Sequence, residues 1–312
     1  MKLFDLHCDT ATRLLYENQP LYDNGFHVSL KKAEQYEKYI QLTAVFTSTK
    51  LSDEDGWEKF WEVRENLLAE TEKNGATMIK TARDLEEFGK SDKKYGFILT
   101  VEDARILCGK LGRVRELYDA GVRVITPLWG GETVIGGSHD TDKGLTDFGR
   151  EAVCEMLKLG IIPDISHASF KSADEIIELC EKHGKVAFAS HSDAYSVNPH
   201  SRNLTDDRFM RIAARGGIVG VNLCRLHLTK TPESASIDDV CDNILHFKEL
   251  SPASVAFGCD MDGTDLPDGI DDISSLPKIT NRLAETGVDS GFIEKLSYNT
   301  AFEFMNNNLP KE

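Results

Sequence analysis

The chain has 312 residues, of which 40% are hydrophobic and 28% are charged, and its formal net charge at pH 7 is −16. This length exceeds an average domain but suits a single α/β barrel, so we predict one domain over residues 1–312. An acidic chain without a basic cluster disfavours a nucleic-acid partner and binding to an anionic membrane.

Eight short apolar segments alternate with amphipathic stretches and are predicted to be β-strands. Several are continuous runs rich in Val and Ile, as expected of strands that are buried on both faces. The predicted strands are 2–9, 40–47, 95–101, 122–128, 161–166, 186–190, 217–223 and 255–260.

The stretches between these strands have helical periodicity, and one has clear ends. Thr146 is a predicted N-cap and Gly160 a predicted terminator for a helix over 147–159. The other predicted helices are 57–72, 113–120, 169–183, 205–215, 237–250, 277–285 and 290–307. Segments 10–39, 129–145 and 225–236 are predicted to be loops or lids. Repeated strand–helix units indicate parallel strands, and eight of them predict a single (β/α)8 TIM barrel.

Metal-ligand side chains recur where the predicted strands end. His7 and Asp9 are two residues apart, so on a strand they point the same way. Glu102 closes the third predicted strand, while His167 and His191 follow the fifth and the sixth. A solvated loop carboxylate or a core histidine could explain one of these residues but not the joint pattern. Active sites of this fold lie at the C-terminal face, so the pattern predicts a site there for Zn²⁺ or a similar ion.

Two further residues suggest substrate chemistry. Asp260 ends the eighth predicted strand, where it could act as a general acid or base, whereas Asp262 suits a turn before Gly263. Arg202 lies in the loop after the sixth strand, and its forked guanidinium could bind a carboxylate. A surface arginine is the alternative interpretation.

The seven cysteines are scattered, odd in number and without a C-x-x-C motif. This usage predicts reduced thiols, mostly buried, in a cytoplasmic protein. We also predict no signal peptide, because the N-terminal MKLFDLHCDT lacks an apolar core, and no apolar run reaches the roughly 20 residues of a membrane span.

Several long motifs resemble the membrane (renal) dipeptidase family, peptidase family M19, within the amidohydrolase-like metal-dependent hydrolases. They are FDLHCDT, VEDA, GLTDFGREAVCEMLKLGIIPDISHAS, ASHSDAYSVNPHSRNLTDD, RGGIVGVN and FGCDMDG. The resemblance implies that His7 and Asp9 bind a first zinc, that Glu102 bridges two zincs, and that His167 and His191 bind the second.

The same resemblance implies substrate roles. Arg202 would hold the C-terminal carboxylate of a dipeptide, and Asp260 would contact the free amine or move the proton, with Asn203 and Trp129 also in the substrate site. Trp129 stands where animal members have a histidine, and Cys224 stands where they have an aromatic residue. Both departures concern substrate range and oxyanion stabilisation, not the metals.

We therefore predict a zinc-dependent dipeptidase with two divalent ions, whose bridging hydroxide attacks dipeptides that have a free C-terminal carboxylate. An alternative is a metal-dependent amidohydrolase acting on N-acyl amino acids or lactam-type amides. A third interpretation is a metal-binding protein without activity. A nicotinamide enzyme is disfavoured because no G-x-G-x-x-G follows an early strand. Side-chain preference, stereochemistry, the native metal and a homodimer remain open.

Overall fold

A computed structural model describes residues 1–311 of the chain. Its centre is an eight-stranded sheet in which all paired strands run parallel, in the order β6-β5-β4-β2-β1-β8-β7, while β3 pairs with β4. The strands are β1 Leu3–Cys8, β2 Tyr39–Phe46, β3 Thr77–Met78, β4 Tyr95–Glu102, β5 Val124–Thr126, β6 Ile162–Pro163, β7 Val219–Val221 and β8 Val255–Phe257. β1 is buried along its whole length, although Asp5 and His7 alternate with its apolar residues.

Segment 186–190, the sixth predicted strand, completes the ring between β6 and β7. Parallel bridges join Asp164 to Phe188 on one side and Ala189 to Val219 on the other. Each side holds only an isolated bridge, so the segment is not a full strand. The ring nevertheless has eight members, and the predicted (β/α)8 barrel is confirmed; β3 is an addition that the sequence pattern did not predict.

Two glycines allow the barrel to close tightly at this segment. A Cβ atom on Gly258 of the loop after β8 would lie 1.8 Å from the Ser190 carbonyl oxygen, and one on Gly220 of β7 would lie 2.0 Å from it. No side chain fits at such distances. The absence of a Cβ at both positions therefore lets Ser190 approach β7 and β8, and it fixes the backbone next to His191.

Helices surround the ring, and most of the predicted ones are present. Thr146 caps its helix as predicted, since its Oγ accepts from the Gly149 N–H at 2.9 Å, and Gly160 ends that helix with a φ of 88°. The helices are α1 Thr10–Tyr16, α2 Asp53–Lys73, α3 Ala82–Lys90, α4 Gly112–Asp119, α5 Asp147–Leu159, α6 Phe170–Lys182, α7 Asp206–Ala213, α8 Arg225–Leu228, α9 Ile237–Leu250, α10 Leu276–Glu285, α11 Ser290–Glu294 and α12 Thr300–Asn308.

The structure corrects four helix predictions. α1 and α8 lie inside segments that were predicted to be loops, and α3 was not predicted although Thr81 and Asp84 form a capping box at its start. The single helix predicted over 290–307 is divided by a π-helical turn at Lys295–Asn299. Short helices offer few turns of periodic pattern, and this explains why they were missed.

Burial agrees with the composition of the chain. Phe4 and Leu6 of β1 pack with apolar side chains of β2 and with Phe304 and Met305 of α12 in one of the core clusters. Five of the seven cysteines are buried and all seven are free, as predicted. Over residues 1–311, no helix combines the length and the apolar character needed to cross a bilayer.

Candidate metal centre

The five predicted ligands meet at the C-terminal end of the barrel. His7, Asp9 and Glu102 place one potential ligand atom each within 4.8 Å of one another, and so do Glu102, His167 and His191. Glu102 is the last residue of β4, with the β1 ligands on one side and the ligands after β6 and segment 186–190 on the other. Because Glu102 belongs to both groups, it can bridge two cations.

The contacts of Glu102 divide between its two oxygens. Its Oε1 lies 2.9 Å from His167 Nε2 and 3.6 Å from His191 Nε2, while its Oε2 lies 3.5 Å from His7 Nε2. His7 Nε2 is also 3.5 Å from Asp9 Oδ2, and the Nε2 atoms of His167 and His191 are 2.9 Å apart. Ring nitrogens this close can share a proton or ligate a common cation.

Unpaired buried atoms support a metal in this position. His7 Nε2 and Asp9 Oδ1 are enclosed and have no hydrogen-bond partner in the described part of the chain. Buried polar atoms nearly always have a hydrogen-bond partner, so two neighbouring buried atoms without one require an explanation. Imidazole nitrogen and carboxylate oxygen are typical zinc ligands, and this donor set therefore fits a divalent ion.

The carboxylates of the site also need a cation. Burial raises the pKa of Asp9 to about 6, and the Glu102 charge raises it further. Burial likewise raises the pKa of Asp260 to about 8. The charge of His7 opposes this shift, whereas the charges of Asp9 and Glu102 add to it. Burial opposes the charge on Glu102 as well, yet His7 and hydrogen bonds from His167 hold its pKa well below the usual value. A divalent ion would offset the repulsion among these groups.

Hydrogen bonds behind two of the imidazoles fix their tautomers. His167 Nδ1 lies 3.1 Å from the Trp129 carbonyl oxygen, which can only accept, so the proton is on Nδ1 and Nε2 keeps its lone pair. His191 Nδ1 lies 2.6 Å from Ser190 Oγ, and that hydroxyl donates to Asp164 Oδ2. The same logic therefore leaves His191 Nε2 free to bind a metal.

Asp164 is a supporting residue that sequence reasoning missed. It is fully buried and accepts hydrogen bonds from Thr126 Oγ1 at 2.6 Å and from the backbone N–H groups of Ser166 and Ser190 at 2.9 Å each. A carboxylate inside the apolar run IIPDIS was an available signal, because such a group is costly to bury unless it is hydrogen-bonded.

Two functional residues have an uncommon backbone conformation. His167 has a φ of 65° and Asp260 a φ of 56°, in the left-handed region that non-glycine residues rarely adopt. Strain of this kind is retained where the surrounding structure enforces it, often at functional sites. Asp262 also has a positive φ of 70°, and its buried carboxylate accepts from Thr10 Oγ1 and the His27 N–H, which fits the predicted turn role.

A cavity of about 540 Å³ opens beside the ligands. Trp129 and Asp260, both predicted substrate residues, line it together with Glu102 and His167. Several lining residues were not predicted, since most come from segments that were predicted to be loops, whose course the sequence does not reveal. These are Thr12, Arg13, Phe46, His139, Asp140, Leu226, His227 and Thr264.

Arg202 is buried, which excludes the alternative of a surface arginine. It is 4% exposed; its Nη2 donates to the His191 carbonyl oxygen at 2.9 Å and its Nη1 to Ser192 Oγ at 3.1 Å. Among residues 1–311 no carboxylate lies within 4.0 Å of its guanidinium. Asn203 is buried beside it and donates to the His227 carbonyl oxygen at 2.8 Å, and its role in substrate binding stays a prediction.

Known proteins resemble this chain in sequence and in fold. It is 32% identical over 198 residues to one uncharacterised dipeptidase of Schizosaccharomyces pombe, with 61% of this chain and 48% of the relative covered. It is 31% identical over 222 residues to a second one, with 68% and 52% covered. The chain thus spans about half the length of these curated relatives.

Two solved structures have the same fold. The dipeptidase AC, a metallo peptidase of family M19, is 24% identical with a TM-score of 0.91, over 100% of this chain and 99% of that one. A metallo peptidase from Rhodobacter sphaeroides, liganded with a phosphinate mimic of the dipeptide L-Ala-D-Ala, is 23% identical with a TM-score of 0.90, over 99% of each chain.

The profile of the membrane dipeptidase family, peptidase family M19, matches residues 1–307. This match includes all five predicted ligands and Asp260. The chain therefore belongs to the membrane dipeptidase family, peptidase family M19.

Proposed function

We propose that the chain is a zinc-dependent dipeptidase that hydrolyses dipeptides with a free C-terminal carboxylate. The observation that carries the proposal is the convergence of His7, Asp9, Glu102, His167 and His191 into two ligand groups with one shared carboxylate. Family membership supports it, as does the fold shared with a metallo peptidase that binds a dipeptide mimic.

The described residues contain three overlapping ligand groups, of which two consist only of predicted ligands and the third joins Asp260 to His7 and His191. His7, Asp9 and Glu102 would hold the first ion, and Glu102, His167 and His191 the second. We propose Zn²⁺ because the ligands combine imidazole with carboxylate. When bound, such ions lower the pKa of a shared water towards neutrality and polarise the scissile carbonyl.

Asp260 is the group that we propose moves the proton. Its Oδ1 lies 3.9 Å from His7 Nε2, at the edge of the ligand cluster, and Asp260 lines the cavity. Asn222 Nδ2 donates to its Oδ2 at 3.4 Å, which leaves Oδ1 to face the reacting groups. Asp260 would accept the proton of the attacking water and return it to the leaving amine.

Arg202 is the proposed site for the terminal carboxylate. A buried charge is costly unless it is paired, and no carboxylate of the described residues pairs with this guanidinium. The carboxylate of a dipeptide would supply that partner in a two-oxygen contact. This contact would restrict substrates to those that end one residue after the cleaved bond.

Metal depletion and reconstitution would test the proposal. Metal-loaded protein should contain about two ions per chain and cleave members of a dipeptide panel in preference to N-acetyl amino acids. Exhaustive chelation should abolish turnover, and Zn²⁺ should restore it. Full activity after chelation would overturn the metal assignment, whereas cleavage of N-acetyl amino acids alone would favour the other amidohydrolase class.

We also propose that the protein functions in the cytoplasm, where thiols stay reduced. The seven free cysteines support this location. Cell fractionation with an antibody to the chain would test it.

A further inference from the structure

The loop that carries Arg202 is tied to α8. Asn203 Nδ2 donates to the His227 carbonyl oxygen at 2.8 Å, and Asn198 Nδ2 donates to the same oxygen at 2.9 Å. Asn198 donates further to the Thr229 carbonyl oxygen at 3.1 Å. These bonds hold α8, with His227 on it, against the Arg202 loop.

The side chains of the two segments also meet. The ring of His227 lies 4.9 Å from that of His200, centroid to centroid. His200 Nδ1 accepts the backbone N–H of Arg202 at 3.2 Å. His200 therefore links the Arg202 loop to His227. Burial, and next the positive charge of Arg202, lower the pKa of His227, so the guanidinium and this ring are electrostatic neighbours.

His227 lines the cavity and has a ring N–H group that no other described residue uses. It lines the cavity with Cys224 and Asp260, yet its Nδ1 is enclosed and has no hydrogen-bond partner within residues 1–311. A proton on that enclosed nitrogen would be a buried donor without an acceptor, which is costly. The neutral ring therefore keeps its proton on Nε2, the nitrogen that is not enclosed, and there it can donate to a ligand.

We propose that His227 is a substrate-binding residue whose Nε2–H donates to the terminal carboxylate held by Arg202. This inference rests on the proposed dipeptidase function. Arg202 uses one N–H of Nη1 on Ser192 and one of Nη2 on His191. Its remaining N–H groups would bind the two carboxylate oxygens, which keep further lone pairs for a second donor such as His227 Nε2–H. Neither Asn198 nor Asn203 can serve in this way, because their amide nitrogens are bonded to backbone oxygens.

The experiment compares each dipeptide with its C-terminal amide on the metal-loaded enzyme. His227→Ala should lower kcat/KM for the free acid about tenfold or more, mainly through KM, as loss of a hydrogen bond to a charged group would do. The amide should change by less than about twofold, and the melting temperature should hold. His227→Gln should restore much of the loss, since its Nε2 can donate from a similar position. His183→Ala, an exposed histidine at the end of α6, is the matched control.

The outcomes separate the two proposals. An equal loss for acid and amide in His227→Ala, or no loss for either, would overturn the assignment of His227 while the dipeptidase function stands. A failure of His227→Gln to exceed His227→Ala would also count against a donor role. Metal-loaded wild-type protein that cleaves neither substrate would overturn the dipeptidase function and, with it, this inference.

Discussion

Asp164→Asn should weaken zinc binding although Asp164 is not itself a ligand. In the native site, the Ser190 hydroxyl gives its only proton to Asp164, so it must accept the proton of His191 Nδ1. His191 Nε2 then carries the lone pair, and it lies 3.6 Å from Glu102 Oε1. The carboxylate thus sets the tautomer of a metal ligand through one hydroxyl.

Asp164→Asn should reverse the relay, by which we mean the hydrogen bonds that run from Asp164 through Ser190 to His191. Its amide oxygen can still accept from the backbone N–H groups of Ser166 and Ser190, so the fold should survive. Its NH₂ group, however, would donate to the Ser190 hydroxyl, which would then donate to His191 Nδ1 and move the imidazole proton to Nε2. Loss of such an outer partner typically costs 10- to 100-fold in metal affinity, about 1.4–2.7 kcal/mol.

Competition with a chromophoric zinc chelator would measure this loss. Ser190→Ala is the decisive companion, because it breaks the relay without changing the charge. Asp174→Asn, which removes a carboxylate of α6 that pairs with Arg208, is the control for charge alone. Zinc affinities of Asp164→Asn and Ser190→Ala that match the wild type within about twofold would refute the relay. An effect in Asp164→Asn alone would mean that charge, not tautomer, matters.

Two other substitutions give distinct results. Glu102→Gln should reduce both zinc occupancy and kcat/KM by at least about 100-fold because the residue serves both ligand groups, whereas Asp262→Asn should mainly lower the melting temperature. Similar activity losses in the two variants would show that Glu102 is not the bridge. Gly258→Ala should cost about 1–3 kcal/mol of stability and reduce zinc affinity, since the new Cβ would displace Ser190. Gly112→Ala, at a position with open space, should do neither, and equal melting temperatures for both would contradict the argument from close packing.

The meeting of the five predicted ligands could be foreseen because their signal is local. Each lies at or just after the C-terminal end of a barrel strand, and a barrel brings all strand ends to one face whatever the loops do. Arg202 could be suspected as a carboxylate ligand, but its burial could not, because that depends on the course of loop 196–203. His139 and His227 gave no signal, since both fall in segments that were predicted to be loops and have no periodicity to place them. Asp164 was hidden in an apolar run that predicts only a strand.

Segment 186–190, which closes the ring of strands, bears on how well the protein resists degradation in the cell. This segment is joined to each neighbour by an isolated parallel bridge and not by a continuous ladder. His191 follows it directly, and an ion shared with Glu102 and His167 would tie this part of the ring to β4. Ligands that bind only the folded state suppress local opening. If the site holds divalent ions as proposed, we expect their removal to favour local opening at this segment and to expose the chain to proteases, so that abundance would follow the supply of metal.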